Sequence, residues 1–209
     1  MTAQEIATVD AFHALYCAGI GPVPPWADVR WLGKQVVKCP MDLWVYQEII
    51  WETKPELIIE TGTNGAGSAW FFAHILDAIG NGMVLTIDTV SYPELCLPHP
   101  RIMYLVGSST DPAIVGQVHA AAAGKRTMVS LDSLHTHEHV ARELALYGPL
   151  VSRGCYLVVE DTGLGGTAKT GWANQSADEF IAEHADFMVD KSRERHLLTS
   201  SRDGWILRC

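Results

Sequence analysis

The chain has 209 residues, of which 48% are hydrophobic and 19% are charged, and its formal net charge is −9. This length supports one substantial core, so one domain with an appendage is expected rather than two domains. The acidic balance argues against nucleic acid or an anionic membrane surface as the main partner, because both select basic patches. No apolar run reaches the roughly 18 residues that a membrane span needs.

The five cysteines are scattered and include no CxxC pair. An odd number of unpaired cysteines is typical of free thiols in a reducing compartment. The N-terminal sequence Met1–Glu5 has no basic segment of the kind that begins a signal peptide. We therefore expect a cytoplasmic protein.

Residues 1–55 precede the regular part of the chain, and we expect them to form a helical and loop extension of the same domain. Helices are predicted at Ala7–Cys17 and Met41–Thr53, with a loop rich in glycine and proline between them. The aromatic side chains of this extension are expected to cover the edge of a sheet or to line a substrate pocket.

Residues 56–209 alternate strands with helices, which predicts an α/β fold. We expect a Rossmann-like, doubly wound, mainly parallel seven-stranded sheet that ends in a C-terminal antiparallel hairpin, with Leu197–Ser200 in the first arm of that hairpin. The predicted strands are Leu57–Glu60, Met83–Ile87, Ile102–Val106, Thr127–Leu131, Tyr156–Val159, Asp186–Asp190 and Trp205–Arg208. The predicted helices are Ser68–Ile79, Asp111–Ala123 and Glu138–Leu150, with a short turn near Tyr92–Leu97.

The segment Leu57–Ser68 predicts a buried strand that runs into a helix. Gly62, Gly65 and Gly67 would let a ligand approach the backbone at the helix N-terminus. Their order, G-x-x-G-x-G, differs from the G-x-G-x-x-G of dinucleotide-binding folds. Glu60 would repel a phosphate but pair with an ammonium group, which favours S-adenosylmethionine. An ordinary tight strand–helix turn is the alternative for this segment taken alone.

Acidic and small polar residues end the next strands, at the edge where such sheets bind ligands. Asp88 follows the glycine turn by roughly 20 residues, where an acid accepts the ribose hydroxyls in doubly wound folds. Ser109 and Thr110 are candidates for the adenine edge. Capping of a turn or helix is the alternative for each of these residues.

Asp132, Glu160 and Asp161 follow two further strands and form a second group. Converging carboxylates repel one another unless a cation lies between them. Oxygen ligands select a hard cation, which predicts a Mg²⁺ site. Helix capping is again the alternative.

Several separate blocks, in the same order along the chain, resemble class I S-adenosylmethionine-dependent methyltransferases with a catechol O-methyltransferase-type metal site. These blocks are Glu60–Thr63 with Ser68, Val106–Asp111, Leu131–Ser133 and Val159–Asp161. A closer resemblance links the chain to the family that groups cephalosporin hydroxylase-like proteins with rhamnosyl O-methyltransferases. The blocks of this second resemblance are Asp42–Ile50, Ile59–Ser68 and Ser192–Thr199, and it covers about residues 30–209.

The resemblance implies a Mg²⁺-dependent O-methyltransferase that transfers a methyl group from S-adenosylmethionine to a hydroxyl of a small molecule, such as a sugar or another natural product. A homo-oligomer is expected. The implied cofactor residues are Glu60, Gly62, Thr63 and Ser68 for the amino-acid part, Asp88 for the ribose, Ser109 and Thr110 for the adenine, together with Asp132. The implied metal ligands are Asp132, Glu160 and Asp161.

His135 is the predicted general base of this reaction, with Asp132 as the second catalytic residue; His137 and His139 are alternative bases. His135 stands three residues after Asp132, where the catechol-type enzymes carry a lysine. The chain departs from the family pattern at Leu134, where many members have a second acid, and at Ala66, where many have glycine. We favour Asp132 as the metal ligand because it lies 28 residues before Glu160, the spacing of the catechol-type site.

Two other classes of protein remain open at this point. The closely spaced histidines 135, 137 and 139 are also compatible with a histidine-ligated metallohydrolase. A noncatalytic module that binds S-adenosylmethionine or another nucleotide is the second alternative. For the methyltransferase, the glycine-rich loop 162–172 is expected to line the acceptor pocket and to close over it as a lid.

Overall fold

The computed structural model describes residues 1–19, 21–163 and 172–209. The helices of the described residues are α1 (Ala3–Ala18), α2 (Pro40–Thr53), α3 (Gly67–Ile79), α4 (Pro112–Ala122), α5 (His137–Tyr147) and α6 (Trp172–Glu183). The strands are β1 (Arg30–Trp31), β2 (Lys34–Gln35), β3 (Leu57–Thr61), β4 (Met83–Asp88), β5 (Ile102–Val106), β6 (Thr127–Leu131), β7 (Tyr156–Val159), β8 (Phe187–Val189) and β9 (Trp205–Arg208). Short 3₁₀ helices span Pro25–Asp28, Gly148–Leu150 and Lys191–Glu194.

Strands β3 to β9 form a seven-stranded sheet in the order β5-β4-β3-β6-β7-β9-β8. Strands β3 to β7 run parallel, and β9 runs antiparallel to both of its neighbours. The predicted α/β fold with a mainly parallel sheet and a C-terminal antiparallel pair is confirmed. The chain leaves β3 toward β4 and β5 and then returns to β6 on the other side of β3. Such a reversal opens a crevice at the carboxyl ends of the central strands, where ligands bind.

The sheet is covered on both faces, and its central strands are mainly apolar and buried along their whole length. All five residues of β3 are buried, as are all five of β6. On one face, Ile59 and Leu157 pack with residues of α4, α5 and α6. On the other face, Ile58 packs with α3 and with Tyr46 of α2. The N-terminal extension therefore contributes to one of the two cores.

The seven predicted strands are present, each within one residue of its predicted ends. The sequence did not predict the β1–β2 ribbon inside the extension, helix α6, or the 3₁₀ helices Pro25–Asp28 and Lys191–Glu194. The assignment of Leu197–Ser200 to a strand was wrong. Residues 190–204 instead connect β8 to β9 through a 3₁₀ helix and return the chain toward the cleft.

The turn between β3 and α3 needs glycine for a reason that the sequence did not reveal. Gly62 has φ +90°, and a Cβ there would overlap the carbonyl oxygen of Asp132. A Cβ on Gly67 would overlap the carbonyl oxygen of Gln35 and lie 2.7 Å from the Cα of Val36. These two glycines make room for other segments of the chain itself, which brings the β6 end and the β2 segment against the turn.

Among the described residues, no helix is both long enough and apolar enough to cross a membrane.

A candidate active site at the carboxyl ends of the strands

A cleft of about 980 Å³ opens at the carboxyl edge of the sheet. Strand ends supply much of its wall, and the extension and the β8–β9 connection supply the remainder. Of the predicted site residues, those that line the cleft are Gly62, Asp88, Ser109, Asp132, His135, Glu160 and Asp161. Those outside its lining are Glu60, Thr63, Ser68 and Thr110.

Glu60 lies beneath the cleft rather than in its wall. Its side chain is fully buried, and its carboxylate accepts hydrogen bonds from Ser68 Oγ and from Thr86 Oγ1, the latter at 2.6 Å. Thr86 Oγ1 is in turn 2.7 Å from Thr63 Oγ1. Burial raises the pKa of Glu60 to about 7. In this geometry Glu60 stabilises the start of α3 through its hydrogen bond with Ser68. Its contact with a cofactor stays a prediction.

Asp88 lies at the end of β4, and both oxygens of its carboxylate accept hydrogen bonds from backbone N–H groups. Its Oδ2 accepts from the backbone N–H of Asn64 at 2.8 Å, and its Oδ1 accepts from that of Val90 at 3.1 Å. These bonds connect the end of β4 to the β3–α3 turn. They hold the carboxylate in the cleft wall, and its contact with the ribose stays a prediction.

Ser109 belongs to a polar cluster on the same side of the cleft. Its hydroxyl is 3.2 Å from His139 Nε2, which is 3.1 Å from Ser133 Oγ. Ser133 donates to Glu143 Oε1 at 2.8 Å. Thr110 instead faces Ser108, at 3.1 Å between the two hydroxyls. Four polar residues of this cluster line the cleft: Ser108, Ser109, Ser133 and His139.

Asp132, His135 and Asp161 come together in the centre of the cleft. One potential ligand atom from each lies within 4.8 Å of the other two. His135 Nε2 is 3.5 Å from Asp132 Oδ1 and 3.3 Å from Asp161 Oδ2. Asp161 adopts the left-handed region, with φ 57°, immediately after β7. Such backbone strain in a non-glycine residue is common at functional sites.

The charges of this group shift the pKa values of its members. Burial, followed by the charge of Asp132, raises the pKa of Asp161 to about 6. Burial works against protonation of His135, but its hydrogen bond to Asp132 and the charge of Asp161 outweigh burial and raise its pKa. The two neighbouring acids therefore favour protonation of the imidazole while no cation lies between them.

Glu160, the third predicted metal ligand, is directed away from this group. Its Oε1 accepts from Lys38 Nζ at 2.9 Å and from the hydroxyl of Tyr46, and its Oε2 accepts from Ser201 Oγ at 3.1 Å. Lys38 Nζ also donates to Asp132 Oδ2 at 2.7 Å. The side chains of Lys38 and Glu160 are only 3% and 2% exposed.

Lys38 is the site residue that sequence reasoning missed. Although burial disfavours its charged form, Asp132 and then Glu160 hold its pKa well above the usual value. In the sequence, Lys38 is marked by its position just before Pro40, where a helix begins. This helix belongs to the extension that is expected to line a substrate pocket. Without a structure, no spacing rule connects Lys38 to acids 94 and 122 residues away.

The strand order, the reversed β9 and the acidic cleft at the carboxyl edge define the class I S-adenosylmethionine-dependent methyltransferases. Sequence comparison refines this class. The chain matches the family described as Rhamnosyl O-methyltransferase/CmcI over residues 25–209, and it belongs to that family. The predicted family and the predicted enzyme class, an S-adenosylmethionine-dependent O-methyltransferase, are confirmed.

Individual relatives agree with this assignment. A rhamnosyl O-methyltransferase of Mycobacterium bovis (strain BCG / Pasteur 1173P2) is 34% identical over 215 residues, covering 97% of this chain and 85% of the relative. The rhamnosyl O-methyltransferase of Mycobacterium leprae is 34% identical over 195 residues, covering 88% of this chain and 84% of the relative.

Solved structures support the fold. A CmcI structure with Mg and SAM has a TM-score of 0.67 and 19% identity, covering 94% of this chain and 84% of that chain. A putative caffeoyl-CoA O-methyltransferase from Staphylococcus aureus has a TM-score of 0.52 and 13% identity, covering 72% of this chain and 77% of that chain.

Proposed function

We propose that this protein is a Mg²⁺-dependent O-methyltransferase that uses S-adenosylmethionine to methylate a hydroxyl of a sugar or another natural product. The observation that carries the proposal is the single cleft, which joins the cofactor side at Gly62, Asp88 and Ser109 to the group of Asp132, His135 and Asp161. The curated relatives are named for a rhamnosyl acceptor, which supports a sugar as the acceptor class.

The residues in the centre of the cleft fit a divalent cation. Two carboxylates and one imidazole place their ligand atoms within 4.8 Å of one another. Carboxylate oxygens favour a hard cation, and histidine is tolerated beside them. Asp132 and Asp161 would hold Mg²⁺, with Glu160 as a further candidate if it exchanges Lys38 for the metal, and His135 would lie beside the ion as the base. Bound there, Mg²⁺ would supply Lewis acidity toward an acceptor oxygen.

The side chains around this position have separate tasks in the transfer. Lys38 neutralises Glu160 and part of Asp132, so the remaining carboxylate charge is directed toward the cleft. His135 Nε2 lies 3.5 Å from Asp132 Oδ1 and 3.3 Å from Asp161 Oδ2. With these two acids engaged by Mg²⁺, this nitrogen would be released to take the proton of the acceptor hydroxyl, as a general base. On the cofactor side, the Asp88 carboxylate would accept hydrogen bonds from the ribose hydroxyls. Ser109 and His139 would face the adenine ring.

The histidine-ligated metallohydrolase is disfavoured by the positions of the three histidines. His135 contacts Asp132 and Asp161, whereas His137 Nε2 pairs with Glu179 Oε2 at 2.8 Å. His139 faces the serine hydroxyls of the cofactor side. Their partners differ, so among the described residues they do not converge on one ion.

The proposed function predicts formation of S-adenosylhomocysteine that requires Mg²⁺ and stops with chelator. We expect Asp132→Ala to abolish this turnover and still bind S-adenosylhomocysteine, measured by calorimetry, because other residues hold much of the cofactor. Asp28→Ala, a change at an exposed acid outside the cleft, serves as the matched control. Full activity of Asp132→Ala in the presence of chelator would contradict the assignment. Cofactor binding without turnover of any hydroxylated acceptor would favour the noncatalytic module.

Three further features belong to the same proposal. Residues 1–55 form a cap that is part of one domain with residues 56–209. Identical chains associate, which is supported by the exposed rings of Trp44 and Trp51 on one side of α2, each 59% exposed. The protein acts in the cytoplasm, which is supported by five cysteines that are all free thiols. Loop 162–172, the predicted lid, lies largely outside the described residues.

A further inference from the structure

Helix α1 forms part of the wall of the cleft opposite the proposed cofactor residues. His13, Tyr16 and Cys17 of α1 line the cleft, together with Trp26 of the following 3₁₀ helix. The carboxyl ends of β3, β4 and β5 carry the cofactor side, and the acids after β6 and β7 lie between the two sides. Cys17, near the end of α1, lines the same cleft as Asp161, and burial together with the charge of Asp161 raises the pKa of the Cys17 thiol.

Specific contacts hold this wall against the body of the protein. His13 is buried, and its Nε2 donates to the carbonyl oxygen of Thr199 at 3.0 Å. Burial lowers the pKa of His13, so the ring is neutral and a single tautomer satisfies this bond. Trp26 Nε1 donates to the carbonyl oxygen of Cys17 at 3.3 Å. A capping box between Thr2 and Glu5 fixes the first turn of α1.

The hydroxyl of Tyr16 is the unexplained polar atom of this wall. It is buried and has no hydrogen-bond partner among the described residues, although Tyr16 lines the cleft. A buried hydroxyl without a partner is costly to a fold, so such an atom commonly has a ligand or water as its partner. Trp26 commits its indole N–H to Cys17, which leaves its ring face as the part that can contact a ligand.

We infer that α1 and Trp26 recognise the acceptor, with the Tyr16 hydroxyl bonding a hydroxyl of a sugar ring other than the one that is methylated. A pyranose presents polar hydroxyls at its edge and an apolar C–H face, which matches a tyrosine hydroxyl beside an indole ring. This inference rests on the proposed function and assigns the acceptor class to specific side chains. The family match begins at residue 25, so α1 lies outside the segment that defines the family.

The test compares steady-state kinetics of the wild type, Tyr16→Phe and the control Leu15→Ala on the full chain. Leu15 is 51% exposed on the same helix and does not line the cleft. The acceptors are an octyl α-L-rhamnopyranoside, its mono-deoxy analogues, and catechol, a planar diol without a C–H face. Thermal unfolding confirms that both variants are folded.

For the rhamnoside, we expect Tyr16→Phe to raise KM by about tenfold, as the loss of one hydrogen bond does, with the KM for S-adenosylmethionine and the Mg²⁺ requirement unchanged. One deoxy analogue is expected to show no further loss in Tyr16→Phe, which identifies the hydroxyl that the tyrosine bonds. A Tyr16→Phe enzyme that matches Leu15→Ala on every acceptor would overturn the inference. So would cofactor binding by a wild type that methylates no glycoside. Failure of the wild type to bind S-adenosylhomocysteine would instead contradict the proposed function.

Discussion

At the scale of single residues, charge balance in a buried place explains much of the site. Lys38, Asp132 and Glu160 form two ion pairs that share one ammonium group. Attraction offsets the desolvation of buried charges only when geometry and additional hydrogen bonds are good. Tyr46 and Ser201 supply those bonds to Glu160. Removing one of these three side chains therefore lowers the free energy of unfolding by more than the net contribution of the set, because a buried charge is left unpaired.

Lys38→Met should lower the free energy of unfolding by about 3–5 kcal/mol, because it leaves Glu160 buried without its cation. Urea denaturation of the metal-free protein measures this loss. The double variant Lys38→Met/Glu160→Gln should recover part of the stability, since the unpaired charge is gone. Lys125→Met, a change at an exposed lysine, is the control. A loss no greater than that of the control would contradict the role of Lys38 as the internal cation.

Asp42 is a second buried acid beside this network. Its Oδ2 accepts from the backbone N–H of Ser200 at 2.8 Å and from the hydroxyl of Ser200 at 2.7 Å. Burial, followed by the charge of Glu160, raises the pKa of Asp42 to about 7 from its usual value of 3.8. The bonds to Ser200 position the β8–β9 connection, which lines the cleft.

This raised pKa predicts the pH dependence of stability. Because the native state binds a proton at Asp42 more tightly than the unfolded state, its contribution is complete below about pH 4 and is lost as pH rises through about 7. Asp42→Asn carries no titrating group, so the stability of the wild type relative to this variant should fall between pH 5 and pH 8. Denaturation of both proteins at the two pH values measures the difference. Asp28→Asn should follow the wild type, and parallel behaviour of Asp42→Asn would show that Asp42 titrates normally.

At the scale of elements, the β3–α3 turn links the end of β4, which carries Asp88, to Asp132 after β6. Gly62 lies against the carbonyl oxygen of Asp132, and Gly62 N donates to the carbonyl oxygen of Ile87 at 2.8 Å. The turn, the end of β4 and the end of β6 are therefore in direct contact. A change in the turn is expected to displace Asp132.

Gly62→Ala should destabilise the protein by about 2 kcal/mol or more, because of both the positive φ and the overlap with Asp132. It should also weaken Mn²⁺ binding, measured by electron paramagnetic resonance, since Asp132 moves. Gly116→Ala is the matched control: it lies in α4, nothing is within 4 Å of its Cβ, and helix propensity predicts a gain of about 0.5–1 kcal/mol. Unchanged Mn²⁺ binding in Gly62→Ala would contradict the expectation that the turn positions Asp132 for the metal.

The elements that sequence predicted are those in which local pattern and burial agree. Strand β3 is fully buried, and its apolar run Leu57–Ile59 predicted the strand to within one residue of its end at Thr61. Helix α6 was missed because its sequence follows a glycine-rich stretch, and the ribbon β1–β2 because each strand has only two residues. Lys38 was missed because its partners, Asp132 and Glu160, are distant in sequence. The burial of Glu60 was missed because the hydroxyl groups that bond it come from two other elements, α3 and β4.

At the scale of the whole molecule, the N-terminal extension and the sheet share a core. Val36, Leu43 and Tyr46 of the extension pack in the same cluster as Ile58 of β3 and Phe72 of α3. Lys38 adds its ion pairs to acids after β6 and β7. Since neither part buries these groups alone, we expect residues 1–55 and 56–209 to unfold together.

The expected result is a single thermal transition, coincident by tryptophan fluorescence and by far-ultraviolet circular dichroism. The comparison is informative because tryptophans 26, 31, 44 and 51 of the seven in the chain lie in the extension, whereas the dichroism reports on every helix and strand. With Mg²⁺ present, S-adenosylhomocysteine at 100 times its Kd should stabilise the protein by about 2.7 kcal/mol and raise both midpoints together by roughly 5–10 °C. An earlier fluorescence transition that the ligand leaves unmoved would show that the extension is a separate unit. Its contacts with the cleft would then form only after the sheet has folded.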